Sequence, residues 1–209
     1  MDTKISLVIP VRDEEESVGR LLGSISAQTR LPDEVIFVDA GSSDGTRMAI
    51  ERCRPRGLKT EVLPIGPAYP GIARNAGVEK AENDLIAFTD AGIELDKDWL
   101  KELGAAMERG KGLDVVYGHY MPRVDTLFKE CLALAMMQPL TEAGGARMRV
   151  RSIASCLIKK AVLRSLGGFP DLRAGEDRVF MEKVDAGNFK IGYSPSAVMT
   201  WDIDRKSVV

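Results

Sequence analysis

The chain has one histidine, His119, in 209 residues. A Ser-His-Asp or Cys-His nucleophilic site must be built around it or not at all, and no paired nucleophile stands beside it. We read His119 as structural or acceptor-facing. Cysteine is scarce as well: Cys53, Cys131 and Cys156 lie far apart and match no zinc spacing, so buried apolar filler is their expected role. Neither sign of charge is in excess. A net charge of −2 gives no broad field to draw in a polyanion, so nucleic acid is not an expected partner. Any bound phosphate must be held locally, by a metal, a few cationic side chains or backbone N–H groups. No stretch reaches the ~18 uninterrupted apolar residues of a membrane span. Met1-Asp2-Thr3-Lys4 runs straight into a strand-like stretch, without the basic and apolar regions of a signal peptide. A soluble cytoplasmic protein is the expectation. No Gly-x-Gly-x-x-Gly follows the first strand, which argues against a nicotinamide oxidoreductase. The first loop, Pro10–Glu16, is acidic rather than Gly-rich and basic, which argues against a nucleotidyltransferase that takes a triphosphate. There is no repeat, low-complexity segment or dividing linker.

What is present is a soluble globular balance, 44% apolar and 29% charged, in a length suited to one domain. Ile5–Pro10, Glu34–Asp39, Thr60–Pro64 and Asp84–Thr89 read as short buried strands. Between them, Glu15–Ala27, Arg47–Cys53 and Pro70–Ala81 read as helices; Val18, Leu21, Leu22 and Ile25 have helical spacing. This alternation predicts an α/β fold with a mostly parallel central sheet flanked by helices. Asp98–Glu108 is expected as a helix and Leu113–Gly118 as a strand. Thr126–Met137 is rich in Leu and Met. A core helix is the plainer expectation for it, and an acceptor- or membrane-facing helix the alternative. Thr141–Arg151, rich in Gly and Arg, reads as a mobile loop. A strand over Ile153–Ile158, helices from Lys160 and Asp177, and a turn at Gly167-Gly168-Phe169-Pro170 complete the pass.

Open parallel sheets bind ligands beyond the carboxyl ends of their strands. Pro10–Glu14, Asp39 and Asp90 converge there. Ser42, Ser43 and Asp44 are available to cap the following helix, so Asp39 is expected to be left over, able to accept from a base N–H or a ribose hydroxyl. Asp90, followed by Ala91-Gly92, is a turn acid or a carboxylate that holds Mg²⁺ or Mn²⁺ on a diphosphate. Arg74, near a helix start, is a solvated surface group or a partner for base or phosphate. Glu176 and Asp177 suit a helix's first turn with no function needed; the functional alternative is a general base.

In order, Ile9-Pro10-Val11-Arg12-Asp13-Glu14-Glu15, Val38-Asp39-Ala40-Gly41-Ser42-Ser43-Asp44-Gly45-Thr46, Ala73-Arg74-Asn75-Ala76-Gly77, Phe88-Thr89-Asp90-Ala91-Gly92, Gly167-Gly168-Phe169 and Gly175-Glu176-Asp177 resemble family 2 glycosyltransferases of the GT-A fold, over nearly the whole chain. The resemblance implies that Pro10, Val11, Arg12, Glu14 and Asp39 line the nucleotide site with Arg74 beside them. It places Asp90 at the family's metal motif and Asp177, of the Glu176-Asp177 pair, as catalytic base. It implies an inverting, divalent-metal-dependent transfer from a UDP- or GDP-sugar to a hydroxyl on a sugar or lipid-linked acceptor. On this basis residues 1–118 form a nucleotide-sugar half and 119–209 an acceptor and catalytic-base half of one domain. The Leu- and Met-rich stretch at 126–137 is what allows a lipid-linked or otherwise apolar acceptor, and it adds a peripheral contact at a membrane's inner face to the expectations.

Three departures stand out. Gly92 occupies the third position of the usual Asp-x-Asp. Arg12-Asp13 replaces the usual aromatic and Asn. No histidine lies in Ala197–Asp202, where many members carry one, so Asp202 or Asp204 is the candidate substitute. Gly92 and the missing histidine support one competing expectation, a non-catalytic protein that binds nucleotide or glycan. Many relatives also continue into further helices past the point where this chain ends, at Ser207-Val208-Val209; a minimal form and a cut chain are both compatible with that.

Overall fold

The protein is described here from a computed structural model covering residues 3–137, 139–149 and 151–202. Strands β1 (Ile5–Val11), β2 (Glu34–Asp39), β3 (Thr60–Pro64) and β4 (Leu85–Phe88) alternate with helices α1 (Val18–Ser26), α2 (Thr46–Cys53) and α3 (Pro70–Lys80). There follow β5 (Ile93–Leu95), α4 (Trp99–Arg109), β6 (Val115–Pro122), α5 (Leu127–Met136), β7 (Thr141–Ala143) and β8 (Ala146–Met148). A 3-10 turn at Ile153–Ser155 leads to β9 (Cys156–Lys159), α6 (Lys160–Ser165), α7 (Glu176–Ala186) and β10 (Ile191–Trp201).

Eight strands form one sheet in the order β3-β2-β1-β4-β9-β6-β10-β5. The predicted parallel pairing joins β3, β2, β1 and β4, and again β6 and β10. Antiparallel β9 links the two parallel groups, and β5 closes the edge antiparallel to β10, so the sheet is mixed. The chain winds outward from β1 to β3 and returns on β1's other side as β4. This reversal leaves a crevice at the carboxyl ends of β1 and β4. The residue 118 boundary expected between halves falls inside β6.

Both sheet faces are covered, which is why β1 reads as a continuous apolar run instead of an alternation. Leu7 and Ile9 meet Leu21, Leu22 and Ile25 of α1 and Trp99 of α4 on one face. Val8, Ile36 and Phe88 meet Ala73 and Val78 of α3 and Phe180 of α7 on the other. Helix α3 starts with Pro70 in its first turn, where the missing N–H costs nothing. It lies so close to the sheet that a Cβ on Gly77 would come within 2.4 Å of Val8 Cγ1. That contact sets the depth of α3, and with it of Arg74.

Four expectations change here. The plainer reading of 126–137 as a core helix fails for most of α5: Ala133 and Met137 are buried, but Leu127, Phe128 and Leu134 are 76%, 63% and 80% exposed. The stretch 141–149 is a β-hairpin rather than a mobile loop, because Gly144 and Gly145, with φ of 60° and 81°, make the tight turn that only such residues enter without strain. Strand β5 was not foreseen; three residues are too few for a periodicity to show. Helix α1 starts at Val18 rather than Glu15, since the N–H groups of Ser17 and Val18 both turn back to the Glu14 carbonyl, at 3.1 and 3.0 Å. No helix among the described residues is long and apolar enough to cross a membrane.

Candidate active site

The carboxyl ends of β1 and β4 open into a cleft of about 670 Å³. Pro10, Val11, Arg12, Glu14, Arg74, Asp90, Glu176 and Asp177 all line it, so of the site residues expected from sequence only Asp39 is outside.

The wall is built by two loops fastened to each other. Asp13 sits at φ 54°, a left-handed conformation rare outside glycine, and hydrogen bonds hold it there. Its carboxylate accepts from the Ser43 N–H at 2.8 Å and hydroxyl at 3.1 Å, and its own N–H donates to Ser42 Oγ at 3.1 Å. The Glu14 N–H donates to Thr46 Oγ1 at 2.8 Å, and Glu15 accepts from the Gly45 N–H at 3.0 Å. The acidity of the first loop is thus partly structural: Asp13 and Glu15 satisfy backbone donors of the second loop.

Asp39 is corrected on one point. It is not left over: it is fully buried, accepts from the Ser42 N–H at 2.9 Å, and is paired with Arg47 from the first turn of α2. Burial pushes its carboxyl up, but the Ser42 hydrogen bonds and the Arg47 guanidinium outweigh that and hold it below the usual carboxylate range. Asp44, not Asp39, serves the start of α2, accepting from the Thr46 N–H at 3.0 Å.

Arg74 is the centre of the site. Nearly buried, it donates from Nη1 to Glu176 at 2.7 Å and from Nη2 to Asp90 at 2.9 Å, with its guanidinium carbon 5.6 Å from the Phe169 ring centre. Burial disfavours its charge, and Asp90 followed by Glu176 more than restores it. Its Nε is buried without a hydrogen-bond partner. The Arg74 ion pairs connect the turn after β4 with α3 and α7. They also separate the two acids of the Glu176-Asp177 pair: Glu176 is buried and committed to Arg74, whereas Asp177 is half-buried, with one oxygen accepting from the Arg178 N–H at 2.7 Å. Glu176 is therefore engaged by Arg74, while Asp177 lines the cleft beside it.

Among the described residues, no group of three or more His, Cys, Asp or Glu side chains converges as a metal site. Asp90 is 41% exposed and has one oxygen on Arg74, leaving the other toward the cleft. Such a lone carboxylate fits an ion that arrives on a diphosphate, since Mg²⁺ takes one or two carboxylates with phosphate oxygens and water. Asp202 also lines the cleft, but Lys129 at 2.7 Å and Arg20 at 3.6 Å already match its charge. The Lys129 hydrogen bond, opposed by burial, holds its carboxyl low. Asp204 lies outside the described residues. A Cβ added at Gly92 would meet nothing within 4 Å, so packing does not require glycine there.

Arg20, Tyr69 and Trp201, which belong to none of the sequence motifs assigned a role, also line the cleft. Trp201 reaches it through the register shift between Ser194 and Val198 in β10, for which Pro195 is the only local sign. A second hollow of about 340 Å³ adjoins the cleft at Asp90, Gly92, Asp177 and Trp201. His119 lines neither. Its Nδ1 accepts from the Arg149 N–H at 3.0 Å, tying β6 to the exit of the hairpin, and burial lowers its basicity.

A profile of glycosyl transferase family 2 matches residues 6–154. The chain belongs to this family. It is 27% identical over 192 residues to the glycosyltransferase AglE of Haloferax volcanii, covering 88% of this chain and 62% of AglE. Among solved structures, residues 1–349 of Staphylococcus aureus TarS in complex with UDP-GlcNAc superpose with a TM-score of 0.79 at 22% identity, over 97% of this chain and 59% of that one. The mannosyltransferase PcManGT of Pyrobaculum calidifontis, in complex with GDP-Man and Mn²⁺, gives 0.71 at 20% identity, over 97% and 58%. These likenesses show the GT-A fold. The chain thus spans about three fifths of the length of each of these three proteins.

Proposed function

We propose that the protein is an inverting glycosyltransferase that moves a sugar from a UDP- or GDP-sugar to an acceptor hydroxyl. The observation that carries this reading is the Glu176–Arg74–Asp90 connection, which puts a half-exposed carboxylate, Asp90, in the same cleft as the adjacent acid Asp177. The bound UDP-GlcNAc and GDP-Man of the two structural neighbours support the donor class.

In this mechanism Pro10, Val11, Arg12 and Glu14 bind the nucleotide. Asp39 joins them once Arg47 gives up its ion pair. Asp177 takes the proton of the acceptor hydroxyl as its oxygen attacks the anomeric carbon from the face opposite the diphosphate. The C1–O bond to the diphosphate breaks with inversion, and its electrons leave on the nucleoside diphosphate. Arg12 and Arg20, both lining the cleft, offset the charge that develops. When bound, Mg²⁺ or Mn²⁺ held by Asp90 would add charge compensation at the leaving group.

Titrating UDP and GDP with and without Mn²⁺ tests the reading. At ~100 times Kd, the bound nucleotide should add about 2.7 kcal/mol, raising Tm by roughly 5–10 °C, with the larger shift when Mn²⁺ is present. Absence of a response to either nucleotide rejects the proposal. Asp90→Ala should abolish the Mn²⁺-dependent part. Gly92→Asp, which places a second carboxylate in open space, should enlarge it; an unchanged Mn²⁺ dependence in both variants would put the ion elsewhere. A protein that responds to nucleotide yet releases no nucleoside diphosphate from any donor and acceptor pair would be the non-catalytic binder.

The exposed Leu127, Phe128 and Leu134 of α5 favour a lipid-linked acceptor and a peripheral contact at the cytoplasmic face of a membrane. Changing these three to Ser should release the protein from phospholipid vesicles without altering its response to nucleotide. Equal vesicle retention by the variant and the parent would remove this part of the reading.

A further inference from the structure

We propose that the second hollow is an acceptor subsite that selects a phosphorylated sugar or polyol, offering its hydroxyl to Asp177 and its phosphate to Arg151 and Arg178. This rests on the transferase reading above. The hollow meets the cleft at Asp177, yet takes none of its lining from the nucleotide loops at 10–17 and 68–74. Its remaining wall comes from β5, β6 and β10, from the segment 151–154 and from α7. A group bound there sits beside the base without competing for the nucleotide's place.

Two guanidinia define its chemistry. Arg178 follows Asp177 directly, and commits its Nε to Glu182 at 3.0 Å, which leaves both terminal nitrogens as donors. Arg151 pairs with Asp185 through Nη1 and also hydrogen-bonds Tyr193, and its five-donor guanidinium has capacity beyond these two partners. Arg151 also holds φ at 65°, a left-handed backbone conformation that is rare outside glycine and is retained where the surroundings enforce it. The acids of the hollow are Asp90 and Asp177, which the mechanism already employs, so an anion is accommodated only at the Arg edge. Two guanidinia match the double charge and fork geometry of a phosphate monoester better than the single charge of a carboxylate. Tyr120 and Trp201, with Met181 and Met199, supply apolar surface against which the C–H face of a sugar packs.

The test uses the protein saturated with UDP or GDP, whichever raises Tm, together with Mn²⁺, so that the diphosphate subsite is filled. Glucose 6-phosphate, glucose and glucuronate are then titrated by calorimetry. Glucose 6-phosphate should bind about tenfold or more tightly than either other probe. Arg178→Gln should weaken it by about tenfold, and the Arg151→Gln/Arg178→Gln pair should erase the preference. The Arg178 side chain is 81% exposed, so its replacement leaves the fold intact and decides the matter if the double variant does not fold. Equal binding of the three probes, or an undiminished preference in Arg178→Gln, overturns the proposal; tight glucuronate binding overturns the choice of phosphate. Failure of the transferase reading shows separately, as absence of any nucleotide response before a probe is added.

Discussion

Asp177→Asn should lower kcat by ~10²–10⁴-fold while leaving the Tm rise caused by UDP or GDP with Mn²⁺ within about 1 °C of the parent. The amide has the carboxylate's shape, and its oxygen can still accept from the Arg178 N–H, so the start of α7 is preserved. What disappears is the ability to take a proton from the acceptor hydroxyl as the new bond forms. Glu176 cannot stand in for it, because it is buried and paired with Arg74. Rates come from nucleoside diphosphate release at saturating donor and acceptor, and the nucleotide Tm shift comes from the same preparation. A collapse of donor affinity would mean that Asp177 holds the donor, and an unchanged rate would mean that the base lies elsewhere.

Arg74→Met should destabilise the protein by about 3–5 kcal/mol, the cost of leaving a buried charge without its partner. In a chain of this length that lowers Tm by roughly 6–20 °C. The larger share falls on Glu176, whose side chain is 9% exposed, because Asp90 can turn to water. Adding Glu176→Gln to Arg74→Met should therefore recover part of the loss, since it removes the stranded charge, although the same change in the parent chain destabilises. Chemical denaturation of the four proteins in the cycle measures this coupling. Additive losses would show that the two residues do not act as a pair. A loss below about 1 kcal/mol for Arg74→Met would mean that the guanidinium is solvated.

Much of the fold is legible in the residues. Glu34–Asp39 and Thr60–Pro64 are strands with the predicted bounds, and the four buried positions of α1 are the four apolar residues at helical spacing. Eight of the expected site residues line one cleft because strand-end positions in a parallel sheet share one edge. The short edge strand β5, the bulged β10 that brings Trp201 to the cleft, and the exposure of α5 were not legible. An apolar helix reads the same whether its wide face meets a sheet or solvent, and a three-residue strand exists only through its partner.

The sequence by itself determined which residues stand at the strand ends, because apolar period, proline placement and glycine turns are local properties of the chain. Tertiary structure decided which of those acids are engaged. Asp39 is occupied by Arg47, and Glu176 by an arginine 102 positions away, while Asp177, its chain neighbour, keeps its place at the junction of the two hollows. Whether a carboxylate positions a partner or takes a proton depends on which cation the fold brings beside it, and that partner is set by the packing of α3 and α7 rather than by neighbours in the chain.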